Sequence, residues 1–368
     1  MDRDRRITRE ELKAALYEAY RRFKGNTDGK NADYIPYLAN VDKDLFGISI
    51  CLKDGEVLTV GDCNYRFGIE SISKVATALL VLKEYGPETI IDMIGADATG
   101  MPFNSILAIL LENEHPSTPL VNAGAISAVS MVSPVGNSRG KWEAIKDNID
   151  RLCGSEVTLI DELYRSESVS NHNNRAIAWL LKGYDRIYDD PELSLDLYTR
   201  QCSLGVTATQ LSTMAATIAF GGYNPVTKRR VFPAALSEKL TSMIASVGMY
   251  EYTGDWMFRT GIPSKSGVGG GIIGVLQSDA YIKQTTYAGE ILAHYRGTGG
   301  FVGSIYPYQP TVDHDHDGAT QKFIVDGKEE VYYKNNDQAA GVVGTANQAV
   351  NANQCNLEIY ESSFTGSI

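Results

Sequence analysis

At 368 residues the chain can bury a large core, as one big domain or two to three smaller ones, and its 43% apolar and 21% charged residues are ordinary for a globular protein. A net charge of −11 argues against a nucleic-acid or anionic-membrane surface, and no uncharged run approaches the ~20 residues that span a bilayer. The charged N-terminus has no apolar signal core, so the sequence reads as cytoplasmic, with neither nucleic acid nor membrane among its partners and small neutral or zwitterionic ligands left open.

The first helix opens on a capping box, Thr8 with Glu11, and carries Leu12, Leu16, Ala19 and Phe23 at helical spacing until Gly25 and Asn26 stop it. A hairpin follows: "FGISICLKDGEVLTVGD" alternates apolar and polar residues on both sides of Asp54-Gly55, a pair suited to a tight reversal. "SISKVATALLVLKEYG" then reads as a helix opening near Ser71, with Val75, Leu79, Leu82 and Tyr85 on its buried face and Gly86-Pro87 at its end. From about 88 to 220 the pattern is mainly helical, and "VGGGIIGVLQ" from Val268 reads as a glycine-led strand. Strands at both ends of a helical insert predict an α+β fold. One antiparallel sheet would be assembled from about 45–65 and 265–277, with helices from about 72–240 over it.

Beyond about Gln277 the texture turns Gly-, Tyr-, Asn- and Gln-rich, apart from "QKFIVDGKEEVYYKN", which suits a hairpin about Asp326-Gly327. "DHDHDG" at 313–318 starts like a calcium loop, but Ile324 stands where the closing glutamate belongs, so a solvated acidic loop is the better reading. The five cysteines are scattered and odd in number, with no C-x-x-C spacing; reduced thiols and no metal site are expected.

The chemistry concentrates in "GIESISKVAT". Serine and lysine at i and i+3 share a helical face, so Lys74 can reach the hydroxyl of Ser71, while Ser73 points elsewhere. A serine in the first turn of a helix also has free backbone N–H groups around it for the negative charge of an attacked carbonyl. The lysine is a base only when neutral, which requires a desolvated pocket or a cationic neighbour. Alone, S-x-x-K is weak; a helix-capping serine and a solvated lysine explain it equally well. "SKSGVGGG" adds Lys265-Ser266-Gly267, a counterpart of the K-T-G element that accompanies S-x-x-K in β-lactamases and penicillin-binding proteins, able to carry a cation and a second oxyanion donor. No S-D-N element is evident between the two.

From about Gly29 to Leu276 the chain resembles the serine-dependent glutaminase family. The matching stretches include "GKNADYIPYLA", "ESISKVAT", "GMPFNS", "TPLVNAGAIS", "RSESVSNHNNRAIAWLLK", "DLYTRQCS", "VGMYEYTGDW" and "PSKSGVGGGI". The resemblance implies a β-lactamase/transpeptidase-like fold and hydrolysis of L-glutamine to glutamate and ammonia without metal or organic cofactor. It puts the nucleophile on Ser71 and the activating lysine on Lys74, with Tyr250 as a proton relay and Ser266 in support. It further implies substrate contacts at Tyr34, Asn122, Glu167, Asn174, Tyr198, Tyr250 and Val268, and a homodimer or homotetramer. Glu167 suits the α-ammonium of glutamine, and the asparagines and Tyr198 suit its α-carboxylate.

The family commonly has glutamine where this chain has Glu70, a carboxylate able to hold Lys74 protonated. The family's closing strand and helix are not evident after 277, so 1–277 reads as the catalytic domain and 278–368 stays unassigned. Two other readings use the same residues: a β-lactamase or peptidase-type acyl transferase, and a catalytically silent binding member.

Overall fold

The computed structural model describes residues 8–26 and 28–275, and beyond them the backbone of strands 279–283, 290–294, 320–325, 328–333 and 356–357. The chain divides into two compact units, one holding Arg9–Gly254 and Ser264–Val275, the other holding Asp255–Pro263 and the strands after residue 276.

In the larger unit the first helix, Arg9–Phe23, begins directly after Thr8. The hairpin pairs Gly47–Cys51 with Val57–Gly61 and closes with Cys51 opposite Val57. Leu52 and Glu56 bridge the turn at 2.8 Å, and Gly55 takes the left-handed φ of 92° that the reversal demands. One face of the hairpin, Leu58 and Val60, packs on Leu16 of the first helix. The Ala208–Ala219 helix, started by a capping box of Thr207 and Gln210, lies against the hairpin too, with Ser212 Oγ 2.7 Å from Ser49 Oγ.

Two helices form the centre. Ser73–Tyr85 is buried without break from Ser73 to Leu82, and Asn122–Met131 is buried along its whole length. Helices apolar on all sides belong in a core, and a fully buried leucine such as Leu79 contributes about 2–3 kcal/mol by leaving water. The Ser138–Cys153 and Pro191–Cys202 helices and the Ala235–Val247 helix pack around this pair. Gly124 lets the start of the Asn122–Met131 helix press on the preceding loop, since a Cβ there would lie 1.8 Å from the Thr118 carbonyl oxygen.

Two expectations about strands are corrected. Antiparallel strands do form within 45–65 and within the described part of 265–277, but among the described residues they sit in separate two-stranded ladders rather than one sheet. The Ala208–Ala219 helix contacts both ladders, so packing on a shared helix replaces hydrogen bonding side by side. Nor is 268–271 strand: Ser264–Ser266 pairs with Ile272–Gly274, and the glycines between fold back through Gly267 N–H to Gly271 O at 2.8 Å, with Gly270 at φ 98°. A small unexpected sheet, Phe67–Gly68 with Leu204–Val206 and Thr158–Leu159, fixes the approach to Ser71.

In the second unit Asp279–Lys283 pairs with Glu290–His294, which also takes Asn356–Leu357. Thr320–Val325 pairs with Lys328–Tyr333, closing from Val325 to Lys328 as the hairpin reading requires. The turn residues Asp326 and Gly327, the 313–318 loop and Cys355 lie outside the described residues.

Candidate active site

The serine is delivered by a strand and a tight turn. Ile69 N–H donates to Leu204 O at 2.8 Å, and Glu70–Ile72 then make one 3-10 turn leading into the Ser73–Tyr85 helix. Glu70 holds a left-handed φ of 50°, and the Ser73 hydroxyl, donating to the Glu70 carbonyl at 2.6 Å, pins that turn. Tyr250 opens a second 3-10 turn, also left-handed at φ 57°, pinned by Thr253 Oγ1 on its carbonyl at 2.7 Å. Non-glycine residues at such angles store about 1–3 kcal/mol each and persist where the surroundings over-determine them. Both strained residues flank the same serine.

Ser71 is 8% exposed and Lys74 fully buried, one helical turn on. The Ser71 hydroxyl faces the Tyr250 hydroxyl closely enough to favour its ionised form, and Lys74 Nζ donates to Tyr250 Oη at 3.4 Å and to Asn122 Oδ1 at 2.6 Å. Among the described residues Lys74 makes no direct hydrogen bond to Ser71; the two side chains meet at Tyr250. From Asn122 the network continues: Tyr198 Oη donates to Oδ1 at 3.1 Å, and Nδ2 donates to Asn174 Oδ1 at 2.8 Å. Asn122 sits at the head of its helix, Tyr198 on the Pro191–Cys202 helix and Asn174 on His172–Gly183, so the core itself brings these groups together.

Burial pushes the Lys74 amine down to about 8, and the nearby Glu70 carboxyl opposes this only in part. Lys265, fully buried on Ser264–Ser266, lies 3.9 Å from the centre of the Tyr250 ring and donates to the Ser266 carbonyl at 2.8 Å. Its amine is driven well below the ordinary lysine range, by burial first and the Lys74 charge second. The cation expected from the K-S-G element is thus an amine that readily gives up its charge. Ser266 enters through its backbone carbonyl.

Glu167, on the Asp161–Ser170 helix, faces Glu70 carboxyl to carboxyl within hydrogen-bonding reach. Tyr34 is over half exposed above them; partial burial first, then Glu70 and Glu167, push its phenol up to about 12. Val268 packs beside Ile35, Leu38, Ile160 and Leu163. The backbone N–H groups of Ser71 and Val268 have no acceptor among the described residues. The glycine loop meets the serine's approach backbone to backbone: a Cβ on Gly269 would lie 2.4 Å from Gly68 O, and one on Gly267 2.7 Å from Ile69 O.

Sequence reasoning did not single out Phe103, whose ring centre is 5.1 Å from that of Tyr250 and whose carbonyl accepts the Asn122 N–H at 2.9 Å. A loop aromatic after proline gives no periodic signal. Among the described residues no cluster of His, Cys, Asp and Glu is arranged to hold a metal ion.

A family model described as Glutaminase matches residues 29–286. A glutaminase of Bacteroides fragilis is 67% identical over 273 residues, 74% of this chain and 85% of that protein. A glutaminase of Escherichia coli is 44% identical over 265 residues, 72% of this chain and 85% of that one. A solved structure described as a probable glutaminase superposes with a TM-score of 0.72 at 44% identity, covering 74% of this chain and 87% of its own. Another, described as Mglu in its glutamate form, gives 0.69 at 30% identity over 73% of this chain and 62% of its own.

Proposed function

This chain belongs to the glutaminase family, and from that premise we propose that it hydrolyses L-glutamine through an acyl-enzyme on Ser71, with Lys74 as the base. Glutaminase activity comes with the family; the residue roles rest on the chain of facing groups from Ser71 to Tyr250 and, by hydrogen bonds, from Tyr250 through Lys74 to Asn122. That chain is the observation that carries the reading.

Ser71 attacks the side-chain amide carbon as its proton passes to Tyr250 and that of Tyr250 to the neutral Lys74 amine. The Ser71 and Val268 N–H groups take the oxyanion, each such donor contributing about 3 kcal/mol in the transition state. The proton returns along the same path to the leaving nitrogen, ammonia departs, and water resolves the γ-glutamyl ester by the reverse sequence. No step calls for a metal or organic cofactor. Glu167 anchors the α-ammonium, while Asn122, Asn174 and Tyr198 offer neutral donors to the α-carboxylate and Tyr34 covers the entrance. In the free protein these groups already bond one another, so substrate joins a pre-formed network.

Residues 1–277 are read as a catalytic domain of β-lactamase-like fold, supported by Ser71-Lys74 at the head of the buried helix and Lys265-Ser266-Gly267 at the strand facing it. A homodimer or homotetramer is favoured by the Ile106–Leu111 helix, where Leu107, Leu110 and Leu111 are exposed. A cytoplasmic setting accords with the free thiols of Cys51, Cys63, Cys153 and Cys202. No helix among the described residues is long and apolar enough to cross a membrane.

The test is ammonia release from L-glutamine against L-asparagine and γ-glutamyl amides, with Ser71→Ala alongside. Glutamine turnover lost in the variant, with binding retained, is expected; substantial residual turnover removes the covalent route.

A further inference from the structure

Glu70 is 3% exposed, and its side chain lies in a slot that three glycines leave open. A Cβ on Gly68 would lie 3.1 Å from Glu70 Oε1, one on Gly267 3.2 Å from its Cβ, and one on Gly269 3.2 Å from its Cγ. The slot aims the carboxyl at Glu167, and the Oε1 atoms of both residues are sealed from water with no hydrogen-bond donor among the described residues. Two ionised carboxylates cannot share such a place without a fixed cation. The titratable groups facing the pair are Lys74 on its helix, Tyr34 ahead of Pro36–Ala39, Cys202 on its helix and Tyr250 on its turn, with Lys265 facing Lys74 from behind. None is an arginine, and both amines are ones that burial discharges.

We propose that Glu70 is a positioning residue held as a neutral acid: it donates its carboxyl proton to Glu167, so that the pair shows one negative charge to the α-ammonium of glutamine and none to Lys74. This rests on the reading of Glu167 as the ammonium anchor and Lys74 as the base. One carboxylate pairs with the one ammonium, while the α-carboxylate of the substrate rests on neutral donors; a second carboxylate would add a further buried negative charge with no cation to meet it. Burial, then the charge of Glu167, push Glu70 well above the usual carboxyl range, and burial lifts Glu167 up to about 7. Glu70, the deeper of the two, therefore keeps the proton. A glutamine, common in the family at this position, would place a neutral donor in the same slot, and the left-handed turn at Glu70 aims whichever side chain stands there.

The test combines pH profiles with an infrared measurement. The free enzyme near neutral pH shows a protonated-carboxyl stretching band that Glu70→Gln lacks; an unchanged band in the variant, or none in the parent, overturns the proposal. In turnover, Glu70→Ala raises the glutamine KM about tenfold, as loss of a hydrogen bond to a charged group does, and Glu70→Gln recovers most of that loss. Glu70→Gln leaves the acid limb of kcat where it stands in the parent, because a neutral acid and a neutral amide present the same charge to Lys74. An acid limb that moves to lower pH by roughly half a pH unit or more in Glu70→Gln, or a KM in that variant as poor as in Glu70→Ala, overturns it. If Glu70→Ala does not fold, the band and the Glu70→Gln acid limb decide alone. Residual turnover in Ser71→Ala would remove the serine–lysine reading instead, and the infrared band still decides the state of Glu70.

Discussion

Asn122→Asp tests the base directly. It places a carboxylate where Oδ1 now accepts from Lys74 Nζ at 2.6 Å, with little change in shape. With the Lys74 amine pushed down to about 8, about a tenth of the enzyme carries a neutral base at pH 7, and kcat should rise roughly tenfold toward a plateau above pH 9. An opposite charge at this distance raises an amine by roughly one to three pH units. The acid limb should move up accordingly, and kcat at pH 7 should fall about 10- to 1000-fold, with most of the loss recovered at high pH. The assay is ammonia release at saturating glutamine from pH 6 to 10, reading kcat so that titration of the free amino acid does not enter. A loss equal at every pH, or a parental acid limb well below pH 7, would refute the assignment of Lys74 as a base discharged by burial.

Tyr250→Phe removes the hydroxyl linking Ser71 to Lys74 and should lower kcat about 10²- to 10⁴-fold with a smaller change in KM, measured by steady-state turnover. Glu167→Gln should act the other way, raising the glutamine KM by about tenfold or more as the α-ammonium loses its charged partner. Gly269→Ala would drive a Cβ to 2.4 Å from Gly68 O and push the Val268 N–H away, so kcat should fall while urea unfolding shifts little. Far from the site, Asp189→Asn would leave the buried Lys141 amine, now 2.6 Å from the Asp189 carboxylate, without its counter-charge. A loss of about 3–5 kcal/mol in urea unfolding at neutral pH is expected. Burial alone would raise Asp189, but the hydrogen bonds from Lys141, Gly136 N–H and Asp190 N–H outweigh it and hold the carboxyl low. Its contribution is therefore present above the ordinary aspartate range and lost as pH falls through the folded value, so the gap between variant and parent should close in acid.

What the sequence disclosed, and what it withheld, follows from the range of each interaction. The Asp54-Gly55 hairpin and the shared face of Ser71 and Lys74 are local, and local spacing found them. The stretch 268–271 reads as strand although it folds as a loop, because its glycines carry no side-chain alternation; the backbone bonds inside the loop decide the matter. Phe67–Gly68 and Thr158–Leu159 are too short for any period to show. The encounter of Glu70 with Glu167 was invisible for another reason: it joins a turn to a distant helix, and each residue alone reads as a surface carboxylate. Glu70 looked like a threat to Lys74 only while its own burial was unknown.

The position of the site at the edge of the helical core has a physical cause. In the proposed mechanism Lys74 is a base only by desolvation, which the interior of Ser73–Tyr85 and Asn122–Met131 supplies, whereas Ser71, as the proposed nucleophile, must meet a soluble substrate and stands one turn nearer the surface. Lowering the amine from 10.5 to about 8 costs about 3 kcal/mol of stability wherever the lysine is charged in both states. Because the folded value lies below the unfolded one, that burden is complete below about pH 8 and fades as pH rises toward 10.5. Glu167, raised from 4.5 to about 7, carries the opposite dependence: its burden is absent in acid and complete above about pH 7. Both burdens are therefore near their full weight between pH 7 and 8, and the left-handed turns at Glu70 and Tyr250 add to them. A proton kept on Glu70 spares the site a second buried carboxylate in that interval, where the strained constellation already draws most heavily on the packed helices beneath it.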